Sequence, residues 1–262
     1  MKDFIYIFQF KSSLEYKLLY IYSLFRKIIG KILTWKFKSS YINTNKNYII
    51  ENKNWIYKIF EPSDMHAILK PHNEEELEKY FQLDWWIFLD IWWNVWKYSI
   101  MIWKQNIENK VYTFEPNPNI YKNYLLENIK LNKLNNINVF NQWLASEKWE
   151  LNLNIPIWND FWSASLIKNK QLNTKEIKVK LNTLDNFITE QKINISDIKL
   201  FKIDVEWFEL NVLEWWLNFL NYLEKTRIII EITNDYESIN NLLIDSWFRQ
   251  VFNSWINYVY EK

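Results

Sequence analysis

The run Ile87-Phe88-Leu89-Asp90-Ile91-Trp92-Trp93-Asn94-Val95-Trp96 decides how the rest of the chain is read. Its first five residues are apolar except for one acid near the end, the pattern of a parallel strand buried on both faces. Residues 95–103 then read as a helix. A turn that joins such a strand to a helix and cradles a ligand needs positive φ and close backbone approach, which glycine supplies at least cost. Three indoles in five residues would fill that crevice instead. With glycine at each Trp the segment becomes Asp-Ile-Gly-Gly-Asn-Val-Gly, a glycine-rich nucleotide loop between strand and helix. Glu115, twenty-five residues after Asp90, ends a second apolar run, where an acid can accept hydrogen bonds from ribose hydroxyls.

Composition points to the same substitution. The 262 residues include one glycine, seventeen tryptophans and no cysteine, whereas about eighteen glycines are expected at the usual ~7%. Asn occurs 34 times, Ala and Arg three times each. That bias is the mark of an AT-rich gene, which has no reason to enrich the UGG codon of tryptophan but could enrich UGA. The expectation is therefore that UGA encodes glycine here and has been read as tryptophan. The alternative is a genuinely Trp-rich glycan- or membrane-binding module. Position favours recoding: Trp149 and Trp247 sit at turns, Trp85-Trp86 precede a strand, and Trp215-Trp216 interrupt a helical run. Individual sites such as Trp35, Trp55 and Trp255 could still be genuine tryptophan.

Outward from the first strand, apolar runs alternate with helical patterns. Strands are expected at 111–115, 137–140, 198–203 and 227–232, and helices at 119–132, 209–219 and 238–245. A strand pair closes the chain near Phe248 and Tyr258. Residues 151–155 and 177–181 alternate apolar and polar, suggesting a half-exposed antiparallel insertion, and Thr183 caps a helix reaching 190. Repeated strand–helix alternation implies an α/β fold, a doubly wound and mostly parallel sheet covered on both faces. Its ligand is expected beyond the carboxyl ends of the strands, at the switch point.

The chain is expected to divide into a basic helical extension, 1–60, and a domain, 61–262. The extension has eleven Lys/Arg against Asp3, Glu15 and Glu51. Leu14, Leu18, Ile21, Tyr22, Phe25, Ile28, Ile29 and Ile32 recur at helical spacing. The charge-free stretch 18–25 is too short for the roughly 20 residues of a bilayer span, and no signal peptide is evident. The first expectation is a helix packed on the domain; the second is a helix lying on an anionic membrane. A net charge of +1 argues against a dedicated nucleic-acid binder. His66 and His72 flank Pro71 without the surroundings of a metal site, and no metal is expected. Ser163 and Ser165 have no nearby histidine, which argues against a hydrolase.

Residues from about 85 to 248 resemble the FkbM family of S-adenosylmethionine-dependent methyltransferases. The matching segments are Phe88-Leu89-Asp90-Ile91 with the loop after it, Val111-Tyr112-Thr113-Phe114-Glu115-Pro116-Asn117-Pro118 and Thr183-Leu184-Asp185-Asn186-Phe187. They continue with Lys202-Ile203-Asp204-Val205-Glu206-Trp207-Phe208-Glu209, Ile229-Ile230-Glu231-Ile232 and, for the family's Gly-Ser-x-Ser-Leu, Trp162-Ser163-Ala164-Ser165-Leu166. The departures fall at glycines, which here are Trp, so the literal polypeptide is expected to bind the cofactor poorly or not at all.

The resemblance implies a Rossmann-like class I methyltransferase fold with S-adenosyl-L-methionine as cofactor. Asp90, Trp92, Trp93, Asn94 and Trp96 would hold its methionine end, the indoles standing for glycines. Glu115 would hold the ribose, Pro116 and Asn117 the adenosine wall, and Asn141 to Leu144 would lie near the adenine. Asp204 would face the sulfonium and, with Glu206, supply the catalytic carboxylates; Glu231 is a weaker candidate. On residue type alone Asp204 could equally be a helix N-cap. The expected reaction is O-methylation of a sugar, glycan or polyketide-like hydroxyl, with a small-molecule or glycan acceptor and no nucleic acid as partner. Methylation of nucleic acid or protein on the same scaffold is the alternative. A cytoplasmic place is expected, with peripheral contact at the inner membrane surface as the variant that the N-terminal helix suggests.

Overall fold

A computed structural model describes residues 8, 10–33, 46–51, 56–59, 75–84, 86–91, 97–156, 174–205 and 208–262. They form two compact units, one from 1–71 with 123–133, the other from 72–122 with 134–262.

The larger unit is built on a seven-stranded sheet. Its strands are β3 (Ile87–Ile91), β4 (Lys110–Phe114), β5 (Ile137–Phe140), β9 (Ile198–Ile203), β10 (Arg227–Glu231), β11 (Arg249–Ser254) and β12 (Asn257–Glu261). Across the sheet the order is β11-β12-β10-β9-β3-β4-β5. β3, β4, β5, β9 and β10 run parallel, whereas β12 is antiparallel to both β10 and β11. Numbered by first appearance and read from the β5 edge, the order is 3-2-1-4-5-7-6. The first five positions are those of the doubly wound Rossmann sheet, and the order reverses between β3 and β9. The expected fold class is therefore the observed one, and all five parallel strands fall within a residue of their expected bounds.

These strands are continuous apolar runs because neighbouring residues point to opposite faces and both faces are covered. Phe88, Val111, Leu200, Ile229 and Val259 pack into one buried cluster. Their neighbours Leu89, Tyr112, Phe201, Ile228, Ile230 and Tyr260 pack into the other. Helix α3 (Lys97–Gln105) covers the first face, placing Ile102 in its cluster. On the second face α5 (Leu184–Gln191) buries Phe187 edge-on against Phe114, with ring centroids 4.7 Å apart. Thr183 caps α5 as expected, its hydroxyl accepting from the Asn186 N–H at 3.1 Å.

Three details differ from expectation. The helix expected at 209–219 is two helices, α6 (Glu209–Trp215) and α7 (Leu217–Tyr222), joined at Trp216. The helix α4, expected at 119–132, starts at Pro118 behind an Asn117 cap, passes through a π-helical turn Tyr121–Leu125 and ends at Leu131. α8 (Tyr236–Asp245) begins two residues early. The insertion pairs β7 (Glu150–Pro156) antiparallel with β8 (Thr174–Asn182), and β6 (Trp143–Leu144) adds in parallel to β8.

In the smaller unit Ser13 caps helix α1 (Leu14–Leu33) by accepting from the Tyr16 N–H at 3.2 Å. Tyr16 packs on Tyr48 of a two-stranded hairpin, β1 (Tyr48–Glu51) and β2 (Ile56–Ile59). Asn128 and Asn132 of α4 extend that hairpin with side-chain amides. Asn128 accepts from the Lys58 N–H at 2.6 Å and donates to its carbonyl at 3.3 Å; Asn132 does the same to Ile56 at 3.0 and 2.6 Å.

Candidate active site

The parallel strands end on one edge of the sheet, and the sequence places an acid at or just past three of those ends. Asp90 is the fourth residue of β3, Glu115 follows β4, and Asp204 follows β9. Register brings the first of these into a row: Asp90 lies opposite Thr113 of β4 on one side and Lys202 of β9 on the other. In parallel strands such partners share a face, here the face that α3 covers.

Asp90 is buried, and the Ser99 hydroxyl from α3 donates to its Oδ2. Ser99 also shares a hydrogen bond of 2.7 Å with the Thr113 hydroxyl. Burial pushes the Asp90 pKa up to about 7, against the opposing pull of Ser99 and Lys202. Lys202 is only 3% exposed, and its ammonium donates to Asp204 Oδ2 at 3.3 Å. Burial works against that charge, yet Asp204, Glu231 and Asp90 together hold the Lys202 pKa above the ordinary lysine value. A buried ammonium among three carboxyl groups fixes the charge pattern at this edge.

Asp204 is further held by its backbone, whose N–H bonds to the Ile91 carbonyl at 3.3 Å. It does not cap the next helix: α6 starts only at Glu209, with Phe208 in the cap position and no side-chain cap. Of the two readings that residue type allowed for Asp204, the N-cap is therefore corrected. The Asp204 side chain turns to Lys202, because an ion pair at a buried strand end outweighs a cap five residues away.

Glu115 is 1% exposed. Its Oε1 accepts from the Asn117 N–H at 2.7 Å, while its Oε2 is buried with no hydrogen-bond partner. Burial drives its pKa up to about 8, with the Asn117 N–H pulling the other way. Asn117, also buried, has its side-chain Nδ2 without a partner. Buried polar atoms are normally paired, since leaving one unmade costs about 1–3 kcal/mol. Two orphans within three residues, an acceptor and a donor at a strand's carboxyl end, are groups that could hold a ligand.

The remaining expected residues divide. Pro116 is buried between Glu115 and Asn117. The Asn141 amide donates to the backbone carbonyls of Glu115 and Pro116 at 2.7 and 3.0 Å, so this side chain holds the Glu115 turn in place. Leu144 lies buried within the hydrophobic cluster on the second face of the sheet. Trp92, Trp93, Asn94, Trp96, Glu206 and the stretch 162–166 lie outside the described residues, as do His66 and His72. Lys202, Ser99 and Thr113 were not singled out from the sequence. The available signal was the second of two lysines in the run Ile198–Ile203, two residues before an acid.

A sequence model of the methyltransferase FkbM domain matches residues 91–254, more than half of the chain. No curated protein matches in sequence. Among solved structures, TYW2 of M. jannaschii in complex with AdoMet is 13% identical, with a TM-score of 0.42 over 84% of this chain and 85% of its own. Aeropyrum pernix fibrillarin, with natively bound S-adenosyl-L-methionine, is 10% identical, with a TM-score of 0.45 over 82% and 94%. Precorrin-6y C5,15-methyltransferase of Geobacter metallireducens is 10% identical, with a TM-score of 0.41 over 72% and 84%.

Proposed function

The chain belongs to the FkbM methyltransferase family, and from that premise we propose that it methylates a hydroxyl oxygen of a sugar, glycan or polyketide-like acceptor with S-adenosyl-L-methionine. The observation that carries the cofactor reading is the buried, unpartnered Glu115 Oε2 at the end of β4. A ribose diol presents two donors to such a carboxylate, and the free Asn117 Nδ2 offers a donor beside it. The residues present thus fit the nucleoside half of the cofactor.

When bound, the cofactor supplies an electrophilic methyl group on a cationic sulfur. The chain's own contribution is charge and position. Asp90, tied to Ser99 and through it to Thr113, fixes the end of β3 just ahead of residues 92–96. Lys202 orients Asp204 through Oδ2, which leaves the other Asp204 oxygen to accept a proton from an acceptor hydroxyl. Glu206 is the second candidate for that proton. Because methyl transfer is an in-line displacement, holding the acceptor oxygen on line supplies much of the acceleration.

The same reading treats the indoles of the loop as misread glycines. It is supported by Trp247 and Trp255, whose φ angles of 70° and 57° lie in the left-handed region that favours glycine. Calorimetric titration with S-adenosylmethionine of the variant carrying Trp92→Gly, Trp93→Gly and Trp96→Gly tests the cofactor. Binding by the variant, with little or none by the literal chain, is expected; no binding by the variant removes the proposal. Transfer of labelled methyl to hydroxyl-bearing glycans is expected next. Label found only in added RNA or protein would replace the acceptor class.

A further inference from the structure

Helix α1 has two apolar sides. One is buried: Tyr16, Tyr20 and Leu24 are at most 5% exposed. The other faces solvent: Leu14 is 72% exposed, Leu18 57%, Tyr22 54% and Phe25 50%. At 100° per residue these four fall within an arc of about 80°, so they form one stripe along the helix. In the sequence Ile28, Ile29 and Ile32 continue the same spacing towards the helix end. Exposed Phe8 stands beside the start of the helix, with the Lys17 ammonium 5.9 Å above its ring.

Charge is divided as unevenly as apolar surface. Residues 1–60 hold eleven Lys/Arg against three acids, an excess of +8, while the remaining residues hold twenty-one against twenty-eight, −7. Five of the charged residues lie on α1 itself, Glu15, Lys17, Arg26, Lys27 and Lys31. Among the described residues no helix is long and apolar enough to cross a membrane.

We propose that α1 lies flat on an anionic lipid surface, with Leu14, Leu18, Tyr22 and Phe25 seated at the acyl boundary and the basic residues of the extension, Lys17 and Arg26 beside the stripe among them, at the headgroups. An apolar stripe flanked by basic residues on a helix too charged to span is the pattern of an interfacial helix. The charge excess selects among occupants. Two copies of an extension carrying +8 repel each other, which opposes a homodimer through this face. A nucleic acid would use the cations but has no use for a line of Leu and Tyr, since its affinity comes mainly from phosphate contacts. An anionic bilayer uses both features, each basic residue near the surface adding to the attraction.

The test is flotation of the full chain with vesicles, with no methyl transfer involved. Vesicles of phosphatidylcholine containing about one-third phosphatidylglycerol are expected to carry the protein. Neutral phosphatidylcholine vesicles are expected to bind it at least about tenfold more weakly, and high salt to weaken the binding to the mixed vesicles. Leu18→Glu with Tyr22→Glu should lower binding to the mixed vesicles by more than about tenfold. Leu18→Ala with Tyr22→Ala should give a smaller loss in the same direction without adding charge. Circular dichroism and thermal unfolding are expected to be unchanged in both, because the residues are exposed. Absence of binding to any vesicle, or equal binding by the double-Glu variant, overturns the proposal. So does a dimer in light scattering that the double-Glu variant dissolves, or binding to RNA that displaces the vesicles.

Discussion

At the scale of single residues the chemistry turns on three buried ionisable groups. Glu115 titrates near 8 because burial penalises its charged form. Its folded pKa lies above the unfolded one, so the stability it contributes is complete below the ordinary carboxylate range and is lost as pH rises through about 8. Asp90 acts in the same direction, its contribution being lost as pH rises from the ordinary carboxylate range to about 7. Urea unfolding at pH 5, 7 and 9 is therefore expected to show falling stability, and Glu115→Gln to flatten the upper part of that fall. A ribose diol prefers the ionised carboxylate, so cofactor affinity should rise towards pH 8 in the glycine-loop variant. Adding Glu115→Gln should abolish that rise and weaken binding about tenfold or more. Lys202 is the opposite case, an ammonium buried among Asp90, Asp204 and Glu231. Lys202→Met leaves those carboxyl groups without their cation, and a loss of roughly 3 kcal/mol is expected in urea unfolding.

At the scale of elements, two tryptophans stand at a helix end and a hairpin turn whose backbone favours glycine. After α8 the Phe248 N–H bonds to the Leu243 carbonyl and the Trp247 N–H to that of Ile244, both at 2.9 Å. That pair is a Schellman cap, and Trp247 occupies its left-handed position, where glycine is usual. The β11–β12 hairpin turns through Trp255 and Ile256, with positive φ only at the first, the place where a two-residue turn takes glycine. Both indoles are more than 75% exposed and so gain little from packing. Trp247→Gly and Trp255→Gly are each expected to raise stability by about 1 kcal/mol in chemical denaturation, and the corresponding Ala variants to gain far less. Trp216 is a different case, a buried indole whose N–H has no acceptor, at the break between α6 and α7. The sequence indicated a break at this pair; the orphaned N–H appears only in the packed structure.

At the scale of the whole molecule, residues 123–133 leave the run of the larger unit and count with the N-terminal one. Their role there is set by Asn128 and Asn132, whose amides pair with the backbone of β2 as a further strand would. Deleting residues 1–71 removes both sets of partners and leaves the fully buried Asn128 amide without them. A chain beginning at His72 is therefore expected to melt at lower temperature and less cooperatively than the full chain, by calorimetry. In the full chain, Asn128→Ala should cost about 2 kcal/mol by leaving the Lys58 backbone groups unmet. Nothing in the sequence separates these two asparagines from the other thirty-two, because their function depends on a strand some seventy residues away.

Alternation of strand and helix, the doubly wound sheet and the carboxylates Asp90, Glu115 and Asp204 near its strand ends were legible in the amino-acid order. Those features follow from local rules: apolar runs buried on both faces, helical spacing, and polar residues where a strand leaves the core. The tertiary structure alone decided that Lys202 and Thr113 flank Asp90, that Ser99 reaches it from α3, and that Asn141 braces the Glu115 turn. It also gave Asp204 to Lys202 instead of a helix cap. The reason is physical: a buried charge is stabilised by whatever strand register and helix packing bring against it, and those partners are remote in sequence.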